Sequence, residues 1–127
     1  MKLKSLLIAA LLGAGLLASA RAQTEIQWWH SMTAFNNEWV NTLAKEFNAS
    51  QKTYKVTPIY KGSYDESMTA AIAAFRAGNA PHILQVFEVG TATMMASKGA
   101  IVPAGKVMAD AGNKFDANAY IAAVAGY

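Results

Sequence analysis

The sequence contains no cysteine among its 127 residues. Without cysteine a secreted chain has no disulfide bonds, so it must be stabilised by its hydrophobic core. The same absence disfavours a lipoprotein, because no cysteine follows the apolar leader to carry the lipid. Catalytic signatures are also missing: there is no G-x-S-x-G, no Walker loop and no pair of histidines at ligand spacing.

The first 22 residues have the pattern of a secretory signal. Lys2 and Lys4 precede an apolar run, and Ala20 and Ala22, with one residue between them, fit the small-x-small pattern of a cleavage site after Ala22. A membrane anchor is the alternative, but the run is shorter than the roughly 20 residues that a span needs, and glycines interrupt it. We therefore predict export, with residues 23–127 as the mature part.

Removing this leader changes the charge of the chain. Three of the 11 basic residues, Lys2, Lys4 and Arg21, lie in it, and the remaining eight match the eight acidic residues. The mature part also has no basic stripe interleaved with aromatic residues. The sequence therefore predicts no nucleic-acid partner.

The mature part alternates short β-forming runs with helical patterns. Apolar residues at every fourth position (Phe35, Trp39, Leu43 and Phe47) predict an amphipathic helix. Ser63 and Glu66 form a capping box before a second helix, with Met68, Ile72 and Phe75 on its expected buried face and Gly78 and Pro81 ending it. The predicted strands are 24–31, 54–62 and 82–88, a third helix covers 89–99, and short helical pieces follow at 107–112 and 118–126. Pro58 either weakens the prediction of the second strand or places that strand near a sheet edge.

Strands and helices in strict alternation predict an α/β fold with a parallel sheet. Ligands of such sheets bind outside the carboxyl ends of the strands. Residues 30–31, 60–64 and 88–90 should therefore converge on one rim.

Motifs along nearly all of the mature part, several of them at this rim, carry a family resemblance. The chain resembles the solute-binding receptors of ABC importers, and among them those that take sn-glycerol 3-phosphate, through "WHSM", "YKGSY", "AAFRAGNAP" and "LQVFEVGTATMMASKG". The resemblance implies a type II periplasmic binding fold and a periplasmic location. The ABC permease would be the partner, and the receptor a monomer at full length. It further implies that residues 23–127 are most of the first of two lobes, with the second lobe absent.

The resemblance also assigns two ligand contacts. Tyr64 matches the second tyrosine of the "YKG-x-Y" motif, and Glu88 matches the glutamate of the "V-aromatic-E-V-G" motif. A carboxylate accepts hydrogen bonds from hydroxyl groups and repels phosphate, so Glu88 should face the glycerol end. Tyr64, in the first turn of a helix, can donate to the phosphate. Gly90 is expected to let the backbone turn sharply after Glu88.

Weaker candidates are Trp29, His30 and Ser63. Trp29 could stack on a ligand, but successive strand residues face opposite sides, so Trp28 or Trp29 is expected in the core. His30 is interpreted as a core histidine rather than a ligand contact or metal group, because no partner stands at motif spacing. No metal or cofactor is implied.

Other functions remain open on the residues alone. A sugar-binding receptor of the same fold would use more aromatic stacking and show no preference for anions. A secreted hydrolase would need two carboxylates at a fixed separation, and Asp65 with Glu88 is a conceivable pair. A purely structural envelope protein would bind no small molecule.

Overall fold

A computed structural model of the protein describes residues 22–125. The predicted signal peptide, apart from its last residue Ala22, lies outside the described residues. Within the described part, no helix is long and apolar enough to cross a membrane.

Strands and helices alternate as the sequence predicts. Their order is β1 (Thr24–His30), α1 (Ala34–Ser50), β2 (Tyr54–Tyr60), α2 (Tyr64–Arg76), β3 (Ile83–Leu84), a 3₁₀ turn (Glu88–Gly90), α3 (Thr91–Ala96), α4 (Ala104–Asp110), a second 3₁₀ turn (Ala117–Ala119) and α5 (Ala122–Ala125). The described strands form a three-stranded sheet, ordered β2-β1-β3, in which β1 pairs in parallel with both neighbours. The α/β class with a parallel sheet is therefore confirmed.

The path of the chain through this sheet reverses at β1. It runs outward from β1 to β2 and then returns past β1 to β3. Because parallel crossovers are right-handed in nearly all proteins, the two directions put α1 and α2 on opposite faces of the sheet. The carboxyl end of β1 is consequently the switch point at which open α/β sheets bind their ligands.

Two strand predictions have different outcomes. Pro58 belongs to β2, where it pairs with Trp28 of β1, and β2 is an outer strand of the described sheet. This position suits proline, because it has no N–H to donate to a second neighbouring strand. The prediction of a strand over 82–88 is wrong beyond its first residues, since β3 has only 2 residues. Side chains replace the ladder at both ends of β3: the backbone N–H of Gln27 donates to His82 Nδ1 at 3.1 Å, and that of Ser31 donates to Gln85 Oε1 at 2.9 Å.

The inward face of α1 differs from the predicted one. Val40 and Ala44 are buried, whereas Phe35 is 77% and Trp39 56% exposed. Asn48 fixes this rotation, because its side chain accepts from Val56 N at 2.7 Å and donates to Val56 O at 2.8 Å. Residues 40, 44 and 48 share one helix face, so the four-residue apolar repeat one position earlier is turned outward.

Helix α2 shows the same kind of rotation. Its fully buried positions are Ser67 and Ala71, while Met68 and Ile72 are half-buried and Phe75 is exposed. Small residues therefore let this helix approach β1 closely. The predicted capping box and the helix stop at Gly78 are both confirmed, the latter by a φ of +71° at that glycine.

An open apolar groove of about 1000 Å³ runs beside β3. Its walls come from the outer side of α2, from β3, and from the two helices that follow. The side chains that line it include Ile72, Phe75, Leu84, Met94 and Met108. The described residues thus leave apolar surface uncovered on this side of the sheet.

Candidate ligand-binding site

Hydrogen bonds join the loops after all three strands at the carboxyl rim. Lys61 N donates to His30 O at 2.9 Å, which ties the loop after β2 to the end of β1. On the other side, Gln85 N donates to Trp29 O at 2.9 Å, and the Gln85 side chain accepts from Ser31 N. At the switch point, therefore, backbone hydrogen bonds and the side chain of Gln85 fix the three loops relative to one another.

Tyr64 and Glu88, the two predicted ligand contacts, lie at this rim. Tyr64 is the first residue of α2 and is 39% exposed, and Glu88 is exposed at the start of the 3₁₀ turn. Phe87 connects them: its ring stacks on that of Tyr64 with centroids 5.2 Å apart and planes inclined by 28°. Sequence patterns alone do not single out Phe87, although it is the aromatic position of the motif that contains Glu88.

Gly90 has a role other than the predicted one. Its φ of −75° and ψ of −15° are ordinary right-handed helical angles, so no sharp turn requires glycine there. The reason is space. A Cβ at this position would lie 2.9 Å from Phe87 Cε1, 3.1 Å from Met68 Sδ and 3.1 Å from Val86 Cγ1. Absence of a side chain at Gly90 lets Phe87 and Met68 close over the turn.

We expect Gly90→Ala to destabilise the folded protein by roughly 1–3 kcal/mol, the usual cost of inserting a methyl group into a filled site. Thermal unfolding measures this loss. Gly105→Ala is the matched control, because its Cβ would meet only Phe115 at ordinary contact distances of 3.7–3.8 Å. Equal unfolding midpoints for the two variants would contradict the packing role of Gly90.

The amino ends of α1 and α2 differ in their electrostatics. The Ser63 Oγ accepts from Glu66 N at 3.3 Å, and Ser63 N donates to Glu66 Oε2 at 2.7 Å. These bonds hold the pKa of Glu66 below its usual value, so this carboxylate stays charged beside Asp65 in the first turn of α2. Helix α1 has no acidic residue in its first turn and no side-chain cap. The dipole at Tyr64 is therefore already offset by two acids, whereas that of α1 is not.

The three weaker candidates, Trp29, His30 and Ser63, all interact with other groups of the protein. Trp29 is 8% exposed, with Lys61 Nζ 3.8 Å from its ring centroid, and His30 is 1% exposed. Burial lowers the pKa of His30 and favours its neutral form, whose Nδ1 accepts from Met32 N at 3.3 Å. The Ser63 hydroxyl belongs to the capping box. Direct ligand contacts by these three residues stay predictions. Across residues 22–125, no three or more acidic or histidine side chains cluster as metal ligands do.

Comparison with known proteins gives one consistent result. No family model matches the chain. It is 54% identical over 110 residues to the "sn-glycerol-3-phosphate-binding periplasmic protein UgpB" of Brucella abortus (strain 2308), covering 87% of this chain and 25% of that protein. Proteins of the same name from Rhizobium meliloti (strain 1021) and Escherichia coli O1:K1 / APEC are 50% identical over 113 residues and 53% identical over 116 residues. These matches cover 89% and 91% of this chain, and 26% of each relative.

Over this stretch the chain is homologous to UgpB proteins. The resemblance to solute-binding receptors for sn-glycerol 3-phosphate, inferred from the sequence motifs, is thereby confirmed. The chain spans about a quarter of the length of the curated UgpB relatives that it matches.

Proposed function

We propose that this chain is part of a periplasmic receptor that binds sn-glycerol 3-phosphate and delivers it to the permease subunits of an ABC importer. The homology to UgpB proteins over most of the chain carries the proposal. The rim supports it, because Tyr64, Phe87 and Glu88 adjoin one another at the switch point. The receptor takes the type II periplasmic binding fold, and residues 23–127 form most of its first lobe.

The charges of the rim orient the proposed ligand. Glu88 is an exposed acid at the rim, and a phosphate group close to its carboxylate would be repelled. The glycerol hydroxyls instead donate to the Glu88 carboxylate, and charge-assisted hydrogen bonds of this kind are the stronger ones. Tyr64 donates its phenolic proton to the phosphate from the side of the ligand that is remote from Glu88.

Binding without turnover separates this receptor from an enzyme or a sugar receptor. We expect the complete receptor to bind sn-glycerol 3-phosphate in calorimetry, to bind neither maltose nor other uncharged sugars, and to release no product from a chromogenic phosphate ester or glycoside. A protein that binds maltose but not sn-glycerol 3-phosphate, or one that turns over either chromogenic substrate, would overturn the proposal. Unlabelled glycerophosphocholine as competitor tests whether diesters share the site.

A further inference from the structure

Phe87 is placed so that it fixes the orientation of the Tyr64 ring. The two ring centroids lie 5.2 Å apart with the planes inclined by 28°, within the distance range at which aromatic pairs attract beyond their burial. The Tyr64 hydroxyl has no hydrogen-bond partner among the residues that the structure describes, and the side chain is 39% exposed, so the stack on Phe87 restrains the ring where no hydrogen bond does. The hydroxyl lies at the far end of that ring. A small tilt of the ring therefore moves the hydroxyl by a distance that matters to a hydrogen bond.

Phe87 itself is held from its other side. Its carbonyl oxygen accepts from Gly90 N at 3.0 Å and from Thr91 Oγ1 at 3.5 Å, which closes the 3₁₀ turn behind it. The edge of its ring fills the space left by the missing side chain of Gly90. The ring is thus a fixed wedge between the start of α2 and the turn that begins with Glu88.

We infer that Phe87 is a positioning residue for ligand binding: its ring presents the Tyr64 hydroxyl at a fixed place relative to the Glu88 carboxylate. This inference rests on the proposed function. Phe87 acts through Tyr64, so its contribution exists only while Tyr64 carries a hydroxyl group. Pre-ordering one side chain for a ligand contributes roughly two- to tenfold in affinity.

A double-mutant cycle in the complete receptor tests the inference by calorimetry with sn-glycerol 3-phosphate. Phe87→Leu removes the planar face, and Tyr64→Phe removes the hydroxyl while leaving a ring to stack. We expect Phe87→Leu to weaken binding about two- to tenfold when Tyr64 is present, and to change it less than about twofold in the Tyr64→Phe background. Phe87→Tyr, which keeps the ring, should bind like the unaltered receptor. Phe87→Met carries the same test if the leucine variant does not fold.

The outcomes separate the inference from the proposed function. An equal loss from Phe87→Leu in both backgrounds would mean that Phe87 acts through general packing, and the inference would be wrong while the receptor function stands. Weaker binding of sn-glycerol 3-phosphate by the Phe87→Tyr variant than by the unaltered receptor would also overturn the inference. Failure of the unaltered receptor to bind sn-glycerol 3-phosphate would overturn the proposed function and the inference together.

Discussion

Glu88→Gln in the complete receptor should weaken sn-glycerol 3-phosphate about ten- to a hundredfold. The amide keeps the shape but offers one oxygen and one NH₂ group, so a hydrogen bond from a glycerol hydroxyl to a charged acceptor is lost, at a cost of roughly 1.5–3 kcal/mol. The binding of inorganic phosphate should weaken least or should strengthen, because the substitution removes the repulsion between the Glu88 carboxylate and phosphate. Calorimetry with sn-glycerol 3-phosphate, glycerol and inorganic phosphate measures this pattern.

Tyr64→Phe completes the same experiment from the other end of the ligand. This substitution should weaken the binding of sn-glycerol 3-phosphate by a similar factor and the binding of uncharged glycerol much less. Glu46→Gln is the matched control for charge, because Glu46 is exposed near the far end of α1. Equal losses for all ligands in both rim variants would mean that these residues act through folding, and the assigned roles would be wrong.

Isolated residues 23–127 should not form a stable monomer. The described sheet has an unpaired edge beside β3, and the groove along that edge is apolar. The outward stripe of α1 adds exposed Phe35 and Trp39. Apolar patches of this kind mark surfaces that another part of a protein covers. We expect the isolated segment to bind an apolar dye, to self-associate in gel filtration and to unfold without a sharp transition.

The complete receptor is the control, and it should unfold cooperatively without binding the dye. A monomeric segment with a sharp thermal transition would show that residues 23–127 are self-sufficient. In that case the apolar groove would not depend on a further part of the protein for its stability.

Much of the fold follows from local patterns in the sequence. The capping box of Ser63 and Glu66 depends only on residues three apart, and alternating strand and helix patterns suffice for a parallel sheet. The rotation of α1 does not follow from its apolar repeat, because the side chain of Asn48 binds the backbone of β2 and overrides that repeat. Likewise β3 is short, because the side chains of His82 and Gln85 on either side of it accept hydrogen bonds from the backbone of Gln27 and Ser31, which are distant in sequence.

The candidate site shows the same division. The topology of the sheet brings the predicted residues Tyr64 and Glu88 to one rim, as the strand order alone suggests. The contact that joins them could not be predicted in this way, because the stack of Tyr64 on Phe87 forms only when both α2 and the 3₁₀ turn are in place. Gly90 illustrates the limit most clearly. A glycine in a loop suggests an unusual backbone angle, whereas the actual constraint is space: the side chains of Val86 and Phe87 fold back onto Gly90, and Met68, which is distant in sequence, packs against it.

The position of β1 at the centre of the sheet has a consequence for the order of folding. β1 comes first among the described strands, yet its partners begin at Tyr54 and Ile83, and the register pairs Thr24 with Tyr54 and Trp28 with Ile83. Each pairing must close a long loop before any contact compensates for the lost chain entropy, which makes such sheets slow to form. During folding, one side of the central strand therefore stays unpaired until Ile83 and Leu84 reach it, and the rim at its carboxyl end assembles only after that.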